Sequence, residues 1–220
     1  MDVILNFVEA RVLGSLIEKE LTTPDYYPLT LNALTNACNQ KSNRDPVMGL
    51  DEKTVVRALD TLREKKFAWQ VKTIGSRVPK YEQSIKNAAP FSPQEIGILC
   101  VLLLRGPQTL GELRSRTARL YNFSDLSEVE ATLRELEDRK EGPFVVKLPR
   151  QIGRKERRYT HLFCGEVTVD DEEESPTEAA RLEVQAENER ITELEQEVTA
   201  IRAELDELKK QFAEFARQFE

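Results

Sequence analysis

The sequence contains few of the residues that build metal sites and disulfide frameworks. It has one histidine, His161, and three cysteines, Cys38, Cys100 and Cys164, with no CxxC pair. The usual zinc sites need four Cys or His ligands at short spacings, so they are excluded, and we expect no metal or cofactor. Three cysteines cannot all pair within one chain, which favours a reducing compartment. Cys38 and Cys100 fall in apolar helical stretches, where we expect small core residues.

Long hydrophobic runs and export signals are also missing. The longest apolar run, 96–104, is far shorter than the roughly 20 residues that span a bilayer. The first residues show neither a basic segment nor a small-residue cleavage site. We therefore expect a cytoplasmic protein that makes no contact with a membrane.

The short motifs that mark enzymes are absent as well. The sequence has no GxGxxG fingerprint, no Walker loop and no nucleophile elbow, and no Cys or Ser motif stands beside His161. Carboxylates are plentiful, but their positions suit helix caps and solvated faces. We predict that the protein is not an enzyme.

Charge is abundant in this sequence and unevenly placed. Residues 166–220 hold 18 acidic and 6 basic residues, whereas residues 1–165 hold 26 basic and 21 acidic ones. Such asymmetry is typical of a body that faces nucleic acid and carries an acidic tail. The alternative is that a surplus of five positive charges over the body is ordinary and indicates no partner.

Hydrophobic periodicity and turn signals predict one set of elements written twice. The first set consists of helices at 6–20, 30–39 and from 51, and of strands at 67–71 and 78–81. Asn6 and Glu9 predict a capping box at the start of its first helix. The second set consists of helices opened by capping boxes at 92–95, 109–112 and 127–130, and of strands at 144–148 and 158–162.

Apolar residues recur together with these elements. At a constant offset of 74, Val55, Leu59 and Leu62 match Val129, Leu133 and Leu136. Tyr81 on the first return strand has its counterpart in Tyr159 on the second. Three helices and a two-stranded wing, repeated, are typical of tandem winged helix-turn-helix domains. We predict a mainly α-helical chain with small β-hairpins, of the α+β class, with winged-helix domains at 1–88 and 89–167.

An acidic linker at 168–178 precedes a predicted coiled coil at 179–220. Apolar residues there keep an unbroken 3-4 spacing over four heptads. The residues predicted to form the dimer seam are Ile191, Leu194, Val198, Ile201, Leu205, Leu208, Phe212 and Phe215. Glu197 at a g position would meet Arg202 at the following e position of a partner helix, which favours a parallel homodimer. The alternative is that this helix packs back on its own chain.

Five segments of the sequence together carry a family resemblance. They are EARVLG at 9–14, CNQKSNRDPVM at 38–48, LLLRG at 102–106, GELRSR at 111–116 and GPFVV at 142–146. On these segments the chain resembles the YceH family of bacterial proteins, over about residues 8–167. The resemblance implies a pair of winged-helix domains, and it implies neither a catalytic activity nor a known ligand.

Basic residues gather on loops, wings and two helices, where winged-helix proteins contact phosphates. The candidate nucleic-acid-binding residues are Lys41, Asn43, Arg44, Arg57, Arg77, Lys80, Arg114, Arg116, Arg150, Arg154, Lys155, Arg157 and Arg158. The second wing is the richest in them, with only Glu156 in opposition. The alternative is that wing tips are charged because they face solvent, and that segment 36–45 caps helix ends and pairs Arg44 with Asp45.

The third helix of the second set argues against base reading. Segment 127–139 carries five acidic residues and only Arg134 and Arg139 in opposition, so it would repel phosphates. The leading hypothesis is a dimeric protein with a regulatory role that binds double-stranded DNA through its basic wings. The alternative is an adaptor that binds other proteins and no nucleic acid.

Overall fold

The computed structural model describes residues 4–72, 78–150 and 156–165, together with seven single helical residues of the C-terminal segment at 190, 194, 197, 198, 200, 201 and 209. The chain forms two compact units, Met1–Glu178 and Ala179–Glu220. The described part of the first unit contains six α-helices and two small antiparallel sheets. This mixed composition confirms the predicted α+β class.

The elements follow in two sets, here named the first and the second repeat. The first repeat consists of α1 (Phe7–Thr22), β1 (Leu29–Thr30), α2 (Leu31–Cys38), α3 (Glu52–Glu64), β2 (Ala68–Val71) and β3 (Lys80–Gln83). The second repeat consists of α4 (Pro93–Arg105), α5 (Leu110–Thr117), α6 (Leu126–Glu137), β4 (Val145–Lys147) and β5 (Tyr159–His161). Single 3-10 turns, Pro24–Tyr26 and Ile85–Asn87, lie beside them.

Helix starts follow the capping signals of the sequence with one exception. Capping boxes begin α1 at Asn6, α4 at Ser92 and α5 at Thr109, as predicted. The box predicted at 127–130 is wrong, because Asp125 caps α6 and the helix begins two residues earlier. A short carboxylate at the N-cap satisfies the free N–H of Glu128, so Ser127 lies inside the first turn.

The sheets show how closely the second repeat follows the first. In the first repeat the strand order is β1-β3-β2, and Leu29 of β1 pairs with Tyr81 of β3. In the second, β4 pairs with β5, and Gln108, which directly precedes the cap of α5, forms a bridge with Tyr159. Tyr81 and Tyr159 therefore occupy equivalent positions, as the sequence repeat predicts.

One ion pair occurs in both repeats and ties the first helix to the end of the third. Glu9 of α1 lies 2.6 Å from the Lys65 ammonium at the end of α3. Glu95 of α4 lies 2.6 Å from the Arg139 guanidinium just after α6. Both carboxylates are buried and both complete the capping box of their own helix, so one residue type serves the cap and the packing of two helices.

The core runs through the contact between α1 and α4. Gly14 of α1 lies against Leu103 and Leu104 of α4, and a Cβ at this position would come within 3.0 Å of the Leu104 side chain. The Cys100 thiol, also on α4, contacts the Gly14 carbonyl at 3.6 Å. Cys38 and Cys100 are fully buried, as predicted, and burial raises the pKa of both thiols. The two repeats thus share one apolar interior.

Candidate nucleic-acid interface

The α2–α3 turn, residues 39–51, is organised around a buried arginine. Arg44 donates to both carboxylate oxygens of Glu18, at 3.1 and 2.7 Å, and to the Ala37 carbonyl at 3.0 and 2.8 Å. Its side chain is 0% exposed. The prediction that Arg44 contacts nucleic acid therefore needs correction, and so does its pairing with Asp45, because its donors are directed into the protein.

A second buried cation, Arg11, supports the same turn and was missed by the sequence reasoning. It donates to the Cys38 carbonyl at 3.2 Å and to the Pro46 carbonyl at 2.7 Å. Burial and the charge of Arg44 lower its pKa to about 10, so it stays protonated at neutral pH. The available signal was a single arginine in the middle of the apolar face of α1.

Two asparagines complete the turn. Asn39 exchanges hydrogen bonds with the backbone of Leu50, through its amide at 2.7 Å and its carbonyl oxygen at 2.8 Å. Asn43 has a φ of 58°, in the left-handed region, and its side-chain oxygen accepts from Arg105 of the second repeat at 3.0 Å. Lys41 is exposed between them. The turn therefore holds α3 in a set position.

The outer face of α3 is close to neutral. Asp51 caps the helix, Lys53 is exposed and Arg57 is half-buried. Arg63 pairs with Asp60 at 3.2 Å on the surface. Side chains of both signs therefore share the face that would meet a nucleic acid.

The β2–β3 hairpin, predicted to be the first wing, contributes one candidate among the described residues. Lys80 is half-buried on β3, where it pairs with Val71 of β2 and Thr30 of β1. Arg77 lies outside the described residues. The exposed Lys72 ends the described part of this wing before the gap.

The β4–β5 hairpin, predicted to be the second wing, presents Lys147, Arg150 and Arg157 as exposed cations. The Lys147 ammonium lies over the Tyr159 ring, 5.4 Å from its centroid. Arg154 and Lys155, also predicted to bind nucleic acid, lie outside the described residues.

Arg158, by contrast, supports the fold of the second repeat. It donates to the Pro107 carbonyl at 2.6 Å and lies 3.2 Å from a carboxylate oxygen of Glu112. These contacts join β5 to the start of α5. Arg158 therefore has a structural role in the second repeat, and its predicted contact with nucleic acid stays a prediction, because its side chain is partly exposed and shares Glu112 with Arg116.

The α5 candidates are partly engaged at the surface. Arg114 donates to the Ser124 carbonyl at 2.8 Å, which ties α5 to the segment before α6. Arg116 pairs with Glu112 at 3.4 Å and donates to the Gln108 side chain. Both arginines are exposed, so each keeps donors that face solvent.

His161 shows no catalytic surroundings. Its ring lies 6.2 Å from that of Phe163, and its buried Nδ1 has no hydrogen-bond partner. Burial lowers its pKa to about 4, which keeps the ring neutral at physiological pH. Across the described ranges, no group of three or more His, Cys, Asp or Glu residues could hold a metal ion. The same ranges contain no helix long and apolar enough to cross a membrane.

The predicted dimer seam is described at three positions. Leu194, Val198 and Ile201 are helical, and they are 51%, 47% and 56% exposed. The other seam residues, Ile191, Leu205, Leu208, Phe212 and Phe215, lie outside the described residues. At the three described positions, apolar side chains at heptad spacing remain open to solvent.

Comparisons with known proteins confirm the resemblance drawn from the motifs. A family model described as "Protein of unknown function, DUF480" matches residues 5–154. A UPF0502 protein of Geobacter sulfurreducens is 58% identical over 221 residues, covering 100% of both chains, and one of Geotalea uraniireducens is 56% identical with the same coverage. One of Photobacterium profundum is 51% identical, covering 95% of this chain and 96% of the relative. The similarity thus reaches past residue 167 and includes the C-terminal segment.

Proposed function

We propose that this chain, which belongs to the DUF480 family of UPF0502 proteins, is a dimeric double winged-helix protein that binds double-stranded DNA through phosphate contacts. In this proposal the winged helices occupy 1–88 and 89–167, residues 168–178 form a linker, and 179–220 pair as a coiled coil. The observation that carries it is the group of exposed cations on the second wing, set on a repeated helix, helix, helix, wing scaffold.

The topology supports the winged-helix assignment. In the first repeat a short strand precedes the second helix and joins the outer side of the hairpin, which produces the order β1-β3-β2. In the second repeat the bridge from Gln108 to Tyr159 occupies the place of that strand. In winged helix-turn-helix proteins the third helix and the wing lie on the nucleic-acid side.

The charge distribution supports backbone contacts rather than base reading. Lys147, Arg150 and Arg157 supply positive charge on the second wing, and backbone phosphates dominate the affinity of DNA-binding proteins. On α6, Glu135 and Asp138 are exposed, so this helix would face phosphates with like charge. The neutral α3 of the first repeat, on its rigid turn, is the better candidate for entry into a groove.

The test is fluorescence anisotropy of the full chain with a labelled generic DNA duplex at several salt concentrations. The substitutions Arg154→Ala, Lys155→Ala and Arg157→Ala are combined, and Arg158 is left intact because it supports the fold. Each phosphate contact removed should lower the slope of log affinity against log salt by about 0.9. We expect the triple variant to bind more weakly and with a shallower slope.

A matched variant controls for net charge. Lys66→Asn, Lys86→Ala and Lys140→Ala remove three exposed cations that lie outside both hairpins and both third helices. Asparagine at position 66 suits the left-handed backbone found there. We expect its DNA affinity to stay within about twofold of the native value at moderate salt, since distant exposed charges are screened. Equal losses in both variants, or no binding by the native chain at low salt, would rule out the wing as the DNA contact.

The dimer is tested separately by mass. Sedimentation equilibrium of the full chain should yield twice the 25.2 kDa of one chain. Val198→Asp combined with Ile201→Asp places charges in the seam, and we expect it to produce monomers because a coiled coil tolerates few charges at a and d. A native monomer, or a dimer that survives both substitutions, would contradict pairing through this helix.

An adaptor that binds proteins is the second candidate, and one observation favours it. The exposed acidic side of α6 suits a basic protein surface better than it suits DNA. The same anisotropy experiment separates the two, because an adaptor would leave the labelled duplex free at low salt.

A further inference from the structure

A cleft opens between the two repeats, beside the contact of α1 with α4. Its volume is about 460 Å³, within the size range of small-molecule sites. Part of the cleft is lined by apolar side chains, namely Val101 and Leu104 of α4 and Leu120, which lies just after α5. Polar and charged residues from the end of α1, from the α2–α3 turn, from the end of α4 and from α5 with the residues after it line most of the remainder. The second repeat supplies the apolar lining together with three arginines, and the first repeat supplies polar and charged lining only.

Positive charge is concentrated in this cleft. The cationic lining residues are Lys19, Lys41, Arg105, Arg116 and Arg119. The only carboxylate among the lining residues is Glu18, and Arg44 binds both of its oxygens from inside the protein. Lys19 adds a contact of 3.2 Å to the same carboxylate. The one negative charge of the cleft is therefore already matched.

Three of the five cations form no ion pair within the part of the chain that the structure describes. Lys41 and Arg119 are exposed, and Arg105 is held by the neutral Asn43 amide at 3.0 Å. Burial, followed by the charge of Arg116, lowers the pKa of Arg105. Asn43 fixes the direction of this guanidinium without supplying a negative charge. The charges of Asp45 and Glu112 offset the lowering of its pKa only in part.

We propose that the cleft binds a small phosphorylated metabolite of nucleotide size. Its phosphates would accept charge-assisted hydrogen bonds from Arg105, Arg119 and Lys41, and its less polar part would lie on Val101 and Leu104. Such a ligand contacts both repeats, so its binding stabilises their mutual packing by mass action. This site is distinct from the wings and does not depend on their binding DNA.

The test is isothermal titration calorimetry of the full chain with adenosine triphosphate and with pyrophosphate, at constant ionic strength. We expect both probes to bind to the native chain. In the combined Lys41→Ala and Arg119→Ala variant we expect the affinity to fall at least tenfold, because hydrogen bonds to charged groups are lost. Neither side chain has an ion pair to lose, so the melting temperature without ligand should stay unchanged, which separates lost binding from lost folding.

The control variant combines Lys86→Ala and Lys140→Ala, which remove two exposed cations outside the cleft. It should bind both probes as the native chain does. The proposal is overturned if the native chain binds neither probe at millimolar concentration, or if the control loses as much affinity as the cleft variant. It is also overturned if the cleft variant loses affinity only for a DNA duplex, since the cleft would then belong to a DNA surface.

Discussion

In the first repeat, the turn between the second and third helices is organised from inside, by Arg11 and Arg44, whose side chains are buried. In the second repeat, segment 118–125 is organised at the surface. There the Glu128 carboxylate accepts hydrogen bonds from the backbone N–H and the hydroxyl of Ser124. Arg114 donates to the Ser124 carbonyl. The same element order is thus maintained by an interior network in one repeat and by exposed contacts in the other. The start of α3 is therefore held by buried groups and the start of α6 by exposed ones, while both helices end at an equivalent ion pair.

The largest expected effect comes from breaking the interior network. Arg44→Met should lower the free energy of unfolding by about 3–5 kcal/mol at pH 7. It leaves the buried Glu18 carboxylate with Lys19 as its remaining ion-pair partner and removes both donors to the Ala37 carbonyl. Arg114→Met, in the second repeat, should cost no more than about 0.5 kcal/mol. Urea unfolding of both variants checks the contrast, and similar costs would show that the two turns are held alike.

The pH dependence of this variant sharpens the same contrast. Burial alone raises the pKa of Glu18, but the hydrogen bonds and charge of Arg44 outweigh it, so the pKa lies below its usual 4.5. The pair therefore stabilises the native chain above that pH and is lost as the pH falls through the lowered pKa. In Arg44→Met, only Lys19 opposes the effect of burial, so the pKa of Glu18 should rise. Protonation of Glu18 then removes the buried charge. The stability gap should narrow between pH 7 and pH 4, and a constant gap would contradict this assignment.

The second effect concerns the ion pair that both repeats share. Lys65→Ala and Arg139→Ala should each lower the free energy of unfolding by about 2 kcal/mol. The loss is smaller than for Arg44→Met because both cations are partly exposed. Arg139→Lys should lose about 1 kcal/mol, since one ammonium cannot reproduce the two hydrogen bonds of the guanidinium to Glu95. Thermal and urea unfolding measure these losses. A neutral result for Arg139→Ala alone would mean that the pair acts only in the first repeat.

A third, smaller effect concerns His161, whose register position corresponds to Gln83 in the first repeat. Burial lowers the pKa of this histidine from 6.5 to about 4. The unfolded chain therefore takes up the proton first, and stability should fall as the pH drops from 6.5 towards 4. The free energy of unfolding of His161→Gln should therefore fall less between pH 7 and pH 5 than that of the native chain, by on the order of 1 kcal/mol. Unfolding curves at pH 7 and pH 5 decide it, and an unchanged pH dependence would contradict the burial of a neutral ring.

The smallest effect concerns the outer faces of the third helices. Glu135→Gln combined with Asp138→Asn makes the exposed side of α6 resemble the neutral α3. We expect the affinity for a DNA duplex to rise about twofold to threefold at low salt and to remain unchanged at high salt, because exposed charges are screened. Anisotropy titrations at both salts measure it, and a rise that persists at high salt would indicate a direct contact.

Sequence reasoning was effective where the determinant was local. Capping boxes at Asn6, Ser92 and Thr109 and the period of the apolar residues were read correctly, because caps and helix faces depend on neighbours three or four residues away. The repeat followed from the same patterns. The start of α6 was misplaced because Asp125, Ser127 and the carboxylates after them offer competing caps, and local spacing does not choose among them.

The roles of individual charges were harder to assign. Arg44 and Arg158 carry the same sequence signature as Arg157, a cation in a polar loop or strand end. Only the fold brings Glu18 to Arg44, 26 residues away in sequence, and Glu112 to Arg158, 46 residues away. The exposed cations on the wings and the buried ones in the turns were therefore indistinguishable before the structure.

The sequence alone determined the element order, most of the helix starts, the α+β class and the family, because each depends on local pattern or on direct similarity. The tertiary structure decided which cations are free to meet a partner. It packed α1 on α4 and so brought Asn43 to Arg105 and opened the cationic cleft between the repeats. A charge is matched or left unmatched by neighbours that are distant in sequence, and such neighbours are chosen only when the chain folds.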